Sequence, residues 1–77
     1  MKKFEAFEVK DPGHDAEKLN ELFMKSLDEQ AKENGFDTWE LVEQPNPKKE
    51  METDYFYENQ LVGKGIRSKG KIRFEPA

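Results

Sequence analysis

One apolar stripe constrains what this 77-residue chain can fold into. Between Asp15 and Asn34, the residues Ala16, Leu19, Leu22, Phe23, Leu27 and Ala31 recur at spacings of three and four, which places them on one face of a single amphipathic helix. His14 or Asp15 can cap its start, and Glu17 in the first turn suits the positive end of the helix dipole. Gly35 supplies the left-handed residue that ends it, after which Phe36 can fold back onto the last turn. A lone helix with one apolar face needs a second layer to bury it, and the other segments of the chain read as strands.

The run Thr38-Trp39-Glu40-Leu41-Val42-Glu43 follows the helix stop and holds the single tryptophan. Alternation predicts a half-buried second strand, with Trp39 and Leu41 on one face and Glu40 and Val42 on the other. Trp39 is expected to pack under the helix as the hub of a thin core, so Trp39→Ala would cost roughly 3 to 5 kcal/mol. Lys3 to Val9 reads as the first strand, with Phe4 and Ala6 on one side and Phe7 and Val9 on the other. That two-sided apolar character suggests a bulge, or cover on both faces. Asp11-Pro12-Gly13 breaks the strand. Residues 44–53, with Pro45 and Pro47, form a polar proline-containing loop where mobility is expected. Tyr55-Phe56-Tyr57 opens a third strand running to about Val62, and Ile72 and Phe74 alternate with Lys71, Arg73 and Glu75 in a fourth. Between these two, residues 63–70 carry three glycines and three cations and read as a basic, flexible loop. The order β-α-β-β defines one α+β domain over residues 1–77, a helix packed on an antiparallel sheet of three to four strands.

Composition narrows the function classes. Charged residues make up 39% of the chain and hydrophobic ones 34%, a balance near that of disordered proteins, but an aromatic share of 12% supplies large burial per side chain. With no cysteine, disulfides and thiolate metal sites are excluded, and packing alone must supply a stability of about 4 to 12 kcal/mol. No apolar run approaches the ~20 residues of a membrane span. Met1-Lys2-Lys3 leads into Phe4-Glu5-Ala6-Phe7-Glu8 rather than an apolar signal core, so a cytoplasmic protein, bacterial or phage-encoded, is expected. Net charge is −4, but it is split unevenly: residues 1–63 balance to −8 and residues 64–77 to +4. The acidic body discourages non-specific nucleic-acid binding, and the basic end offers a small anion-facing patch.

The leading Met-Lys-Lys-aromatic segment, the Leu- and Glu-rich helix, Trp39-Glu40-Leu41-Val42 and the final Arg73-Phe74 pair together resemble a family of small bacterial and phage domains of unknown function. In that family the second strand usually begins Gly-Trp-Glu-Leu-Val; here Thr38 stands in place of the glycine. The resemblance implies a compact β-α-β-β domain and brings no activity or catalytic residues with it.

Gly65-Ile66-Arg67-Ser68-Lys69-Gly70-Lys71 has the spacing of a phosphate-cradling loop up to its lysine. Ile72 then occupies the place of the magnesium-binding Ser or Thr, and too few residues follow for the helix that must face the phosphates. His14 is the single histidine and decorates the helix entrance; a metal site needs more nitrogen or sulfur donors than this chain has. Acidic pairs such as Asp28 with Glu29 or Glu50 with Glu52 read as solvated faces. Ser26 and Ser68 have no histidine spaced for a charge relay. No enzyme activity and no cofactor or metal are therefore expected. The reading that remains is a non-enzymatic module that binds another protein, as a regulator or inhibitor. Its closely spaced aromatics Tyr55, Phe56 and Tyr57 would serve as anchors. The alternative is single-stranded nucleic-acid binding by the basic C-terminal hairpin, where Lys64, Arg67, Lys69, Lys71 and Arg73 would meet phosphates. A third reading is homodimerisation through an open sheet edge.

Overall fold

A computed structural model describes residues 3–77; Met1 and Lys2 of the leading Met-Lys-Lys lie outside the described residues. The helix, α1 (Ala16–Glu33), forms where the stripe placed it, with Leu19, Phe23, Leu27 and Ala31 buried. Leu22 lies at the margin and stays exposed. The Asp15 carboxylate accepts the N–H groups of Glu17 and Lys18 at 3.0 and 3.2 Å, which satisfies two of the orphan donors of the first turn. At the other end Gly35 takes φ +83°. The Gly35 N–H then reaches the Lys32 carbonyl and the Phe36 N–H the Ala31 carbonyl, the paired bonds of a Schellman stop that turn Phe36 back into the core.

The sheet has five antiparallel strands, one more than the upper bound read from the sequence. They are β1 (Phe7–Lys10), β2 (Val42–Pro45), β3 (Glu52–Tyr57), β4 (Gln60–Ser68) and β5 (Lys71–Pro76), in spatial order β1-β5-β4-β3-β2. The helix covers one face. On that face lie Phe7 and Val9 of β1, Ile72 and Phe74 of β5 and Tyr55 of β3, with Phe23 and Leu27 of α1 above them. Phe74 is the centre of the cluster: Phe4, Phe7, Phe23 and Tyr55 all bring their rings to between 5.3 and 6.4 Å of it.

The supposed basic loop 63–70 is mostly the central strand. Gly63 to Ser68 belong to β4, and the turn proper is Lys69-Gly70. The glycines are there because aromatic rings press on the backbone. A Cβ on Gly65 would stand 3.1 Å from Phe23 Cζ and 3.2 Å from a Tyr55 ring carbon, and one on Gly63 would meet the Phe74 ring and the Glu75 carbonyl oxygen. Composition suggested a loop, whereas the requirement here is space.

Three other expectations need correction. The first strand starts at Phe7, not Lys3. Phe4 is buried ahead of it, and the Gln30 side-chain amide grips the Glu5 backbone in place of a strand, accepting from its N–H at 2.6 Å and donating to its carbonyl at 3.0 Å. Phe4 and Phe7 thus both reach the core without a bulge or a second covering layer. The third strand ends at Tyr57, where Glu58 and Asn59 take φ values of 48° and 66° and turn the chain directly into β4. This two-residue hairpin turn is one that Asn-Gly or Asp-Gly usually marks, and no glycine is present to mark it. The proline-containing loop is shorter than residues 44–53: Pro45 pairs with Thr53 inside the sheet, and the Asn46 and Glu52 backbones close the turn with a 3.0 Å bond.

The largest correction concerns Trp39. Thr38–Glu40 is a turn of 3-10 helix rather than strand, the Glu40 carboxylate accepts the Asp37 N–H at 2.9 Å, and Leu41 donates back to the Thr38 carbonyl. The Thr38 hydroxyl further ties the turn to Asp28 of α1 at 3.3 Å. This geometry rotates the indole outward, leaving Trp39 81% exposed, while Leu41 goes into the core instead. Trp39→Ala should therefore lower the unfolding free energy read from urea melts by no more than about 0.5 kcal/mol, against a loss of roughly 3 to 5 kcal/mol for Phe74→Ala. Equal losses in the two variants would put the indole in the core. Replacing Glu58-Asn59 by Asn-Gly should raise stability by about 0.5 to 1 kcal/mol, since glycine removes the strain of a positive φ; a lower melting temperature would contradict the turn assignment.

Candidate functional site

The three aromatics proposed as anchors do not share one surface. Tyr55 is 3% exposed and packs at 6.0 Å on Phe23, so it belongs to the core and is not available to a partner. Tyr57 is half-buried and stacks on Phe36 at 3.8 Å, holding the helix stop against the sheet. Phe56 alone points to the face opposite the helix, as alternation along β3 requires. There the register aligns it between Val42 of β2 and Leu61 of β4. Val42 and Leu61 are well exposed and Phe56 half-buried, so this row is an apolar strip across three strands of the uncovered face. Trp39 lies three residues before Val42, on the turn that leads into β2.

Beyond the strip the uncovered face is charged with both signs. The next row runs Gln44, Asp54, Lys64, Glu75, and the row after it Glu52, Ile66, Arg73, Glu8. Lys64 forms an ion pair with Glu52 at 3.3 Å and Arg73 one with Glu75 at 2.8 Å. The five cations proposed to meet phosphates are thereby divided. Lys64 and Arg73 lie among carboxylates on the uncovered face, and Arg67 lies on the helix side, where its guanidinium donates to Asn20 of α1 at 2.7 Å. Lys69 and Lys71 flank the tip of the β4–β5 hairpin. They do not line one surface along which a nucleic-acid strand could run.

Asp37, Glu40, Glu43 and Glu58 lie on the segments that lead into β2, form it and follow β3. Their fields reach the neighbouring tyrosines. Burial, reinforced by Glu58 and Glu40, raises the Tyr57 hydroxyl above its ordinary value. On Tyr55, burial is again the main cause, Glu43 adds to it and Arg67 opposes it, and the hydroxyl is pushed up to about 12. Elsewhere, the hydrogen bond from Lys32 lowers the Asp28 carboxyl, in the i,i+4 pair that tethers the end of α1 beside the 3-10 turn. Among the described residues no group of three or more His, Cys, Asp and Glu side chains is placed to hold a metal ion. No helix among the described residues is long and apolar enough to cross a membrane.

The sequence reading missed Trp39 and Leu61 as surface residues; Val42 it placed on the outer face of its strand, without a role. A signal was present: Asp37 and Glu40 stand three apart, the spacing of a capped helical start, just where a strand was read. Comparison with protein-family models, with curated proteins and with solved structures finds no match.

The raised Tyr55 value predicts the alkaline behaviour. A phenol harder to ionise in the folded than in the unfolded chain supports the fold fully below pH 10, and that support is lost as pH rises toward 12. The urea midpoint should fall across this window, and Tyr55→Phe should flatten the fall. An equally steep decline in Tyr55→Phe would assign the effect to other groups.

Proposed function

We propose that this chain is a non-enzymatic protein-binding module of the cytoplasm, acting as a regulator or inhibitor of the protein it binds. The observation that carries the reading is the 81% exposure of Trp39 on a turn held by its own backbone bonds and tied to α1 through Thr38. A large amphipathic ring with only two side-chain torsions, carried on a tied turn, loses little conformational freedom on binding, and tryptophan is among the most frequent interface anchors. The Val42–Phe56–Leu61 strip supplies adjoining apolar area. The acidic surround of Asp37, Glu40, Glu43 and Glu58 sets the chemistry of the partner: an apolar cleft that accepts the indole, bordered by basic groups.

Two competing readings draw less support. The β2 edge is four residues long and ends in Pro45, which has no N–H to offer a neighbouring strand, so a dimer built by extending the sheet there would gain few bonds. Single-stranded nucleic acid would have to bind cations that face different sides of the hairpin, two of them already beside carboxylates.

Affinity capture from the native host with wild-type protein, followed by titration of the captured protein against variants, tests the proposal. Trp39→Ala should weaken binding by on the order of 2 kcal/mol and leave the urea midpoint in place, and Glu40→Lys with Glu43→Lys should slow association. Undiminished affinity in Trp39→Ala would remove the anchor and the proposal with it. Tight binding to single-stranded DNA or RNA at physiological salt, lost on Lys69→Glu with Lys71→Glu, would replace it by the nucleic-acid reading.

A further inference from the structure

At the opposite end of the molecule, where the start of α1 meets the β4–β5 hairpin, lies a cleft of about 430 Å³. Leu19 and Ile72 form its floor and Ala16 and Met51 its apolar sides; Arg67, Lys69, Lys71 and His14 stand around it. No aspartate or glutamate lines it. In a chain with 17 carboxylates and a net charge of −4, a cleft whose lining includes Arg67, Lys69, Lys71 and His14 and no carboxylate departs from the acidic balance of the chain as a whole.

The cleft is held open by specific contacts. Its hairpin wall is fixed to the β1–α1 loop by the Asp11 N–H, which donates to the Gly70 carbonyl at 2.9 Å. His14 (φ 55°) packs so closely on Gly70 that a Cβ there would stand 2.6 Å from Nδ1. The nearby Asp11 carboxylate is occupied: it accepts the Asp15 N–H at 2.7 Å and the Gly13 N–H at 3.4 Å and faces Lys18 at 3.9 Å. The Glu17, Lys18 and Leu19 N–H groups at the start of α1 are likewise taken by Asp15, so the anion-attracting groups of the cleft are chiefly its side chains. Arg67, which lines the cleft, is held by its bond to Asn20, and that bond uses one of its five N–H groups.

The geometry points to a binding site for a small amphiphilic anion, whose acid group meets Arg67 and Lys69 while its apolar body lies along Leu19, Met51 and Ile72. The volume falls at the small end of the roughly 300 to 1,000 Å³ usual for ligand clefts, which fits a short acyl or aryl acid. Both halves of such a ligand are needed: a bare anion gains nothing from the floor, and a neutral chain nothing from the cations. Asn20 is a positioning residue that acts through Arg67.

Titration of the ¹⁵N-labelled protein with octanoate, with octanol and with inorganic phosphate tests the assignment. Octanoate should shift the Leu19, Gly70, Lys71 and Ile72 amides saturably, with octanol and phosphate each at least about tenfold weaker. Lys69→Glu, in the exposed turn, should weaken octanoate by about fivefold or more with an unchanged circular dichroism spectrum, and Asn20→Ala should weaken it by less. Octanol binding as tightly as octanoate, octanoate shifts centred on Trp39 and Leu61, or affinity within about twofold of wild type in Lys69→Glu would each overturn the proposal. Vesicles of phosphatidylglycerol distinguish the remaining source of such an anion: sedimentation with them that octanoate does not displace would assign these cations to a lipid surface and also overturn it. The Trp39 variants leave this cleft untouched, so its failure and that of the protein-binding reading are separable.

Discussion

The contact of aromatic rings with a bare stretch of backbone governs this fold. The middle strand of the sheet offers Gly63 and Gly65 on the side where α1 lies, and the rings of Phe23, Tyr55 and Phe74 settle directly on that strand. Because the two positions contribute no side-chain volume, a single layer of rings fills the space between helix and sheet. A methyl group at Gly63 would collide with Phe74, the residue on which the packing of β1, β3 and α1 converges. A chain with few aliphatic residues thus obtains a dense interior from five of its six phenylalanines and a tyrosine, packed with Leu19, Leu27, Ala31, Leu41, Val62 and Ile72.

The same choice explains what could be read in the sequence. Where burial is signalled by apolar side chains at regular spacing, the fold was legible: the limits of α1, a cap at one of two neighbouring residues that proves to be Asp15, the Gly35 stop with Phe36 folding back, and the Ile72–Phe74 alternation of the last strand. Where burial is signalled by absence, it was not. Gly63 and Gly65 alternate with Lys64 and Ile66 at the period of a strand, yet glycines beside lysines carry the composition of a loop. The Glu58-Asn59 turn was invisible for a related reason, since the strain of two positive φ values is tolerated here by residues that do not advertise it.

The candidate surface was misread at Trp39 by weighing residue type over local hydrogen bonding. Tryptophan is the largest apolar side chain available, and strand alternation put it on the same inner face as Leu41. The Asp37–Glu40 turn is a short-range interaction that decides direction before packing is considered, and it gives the interior to Leu41. Of the three aromatics in β3, alternation alone left one, Phe56, to the uncovered face. The five cations near the chain end were likewise divided between the two faces by the strand period, which a count of charge along the sequence does not register.

The register between β1 and β5 has a consequence for the order of assembly. Strands β3, β4 and β5 are joined by two-residue turns, so their pairing closes short loops and costs little chain entropy. Phe7 finds Phe74 across nearly the whole chain, and that pairing must wait until the meander and α1 have brought the ends of the path near one another. The strand that seals the aromatic layer on one side is thus the last piece for which topology makes the search long. Slow closure of this one seam, rather than formation of the helix or hairpins, would set the pace at which the domain becomes native.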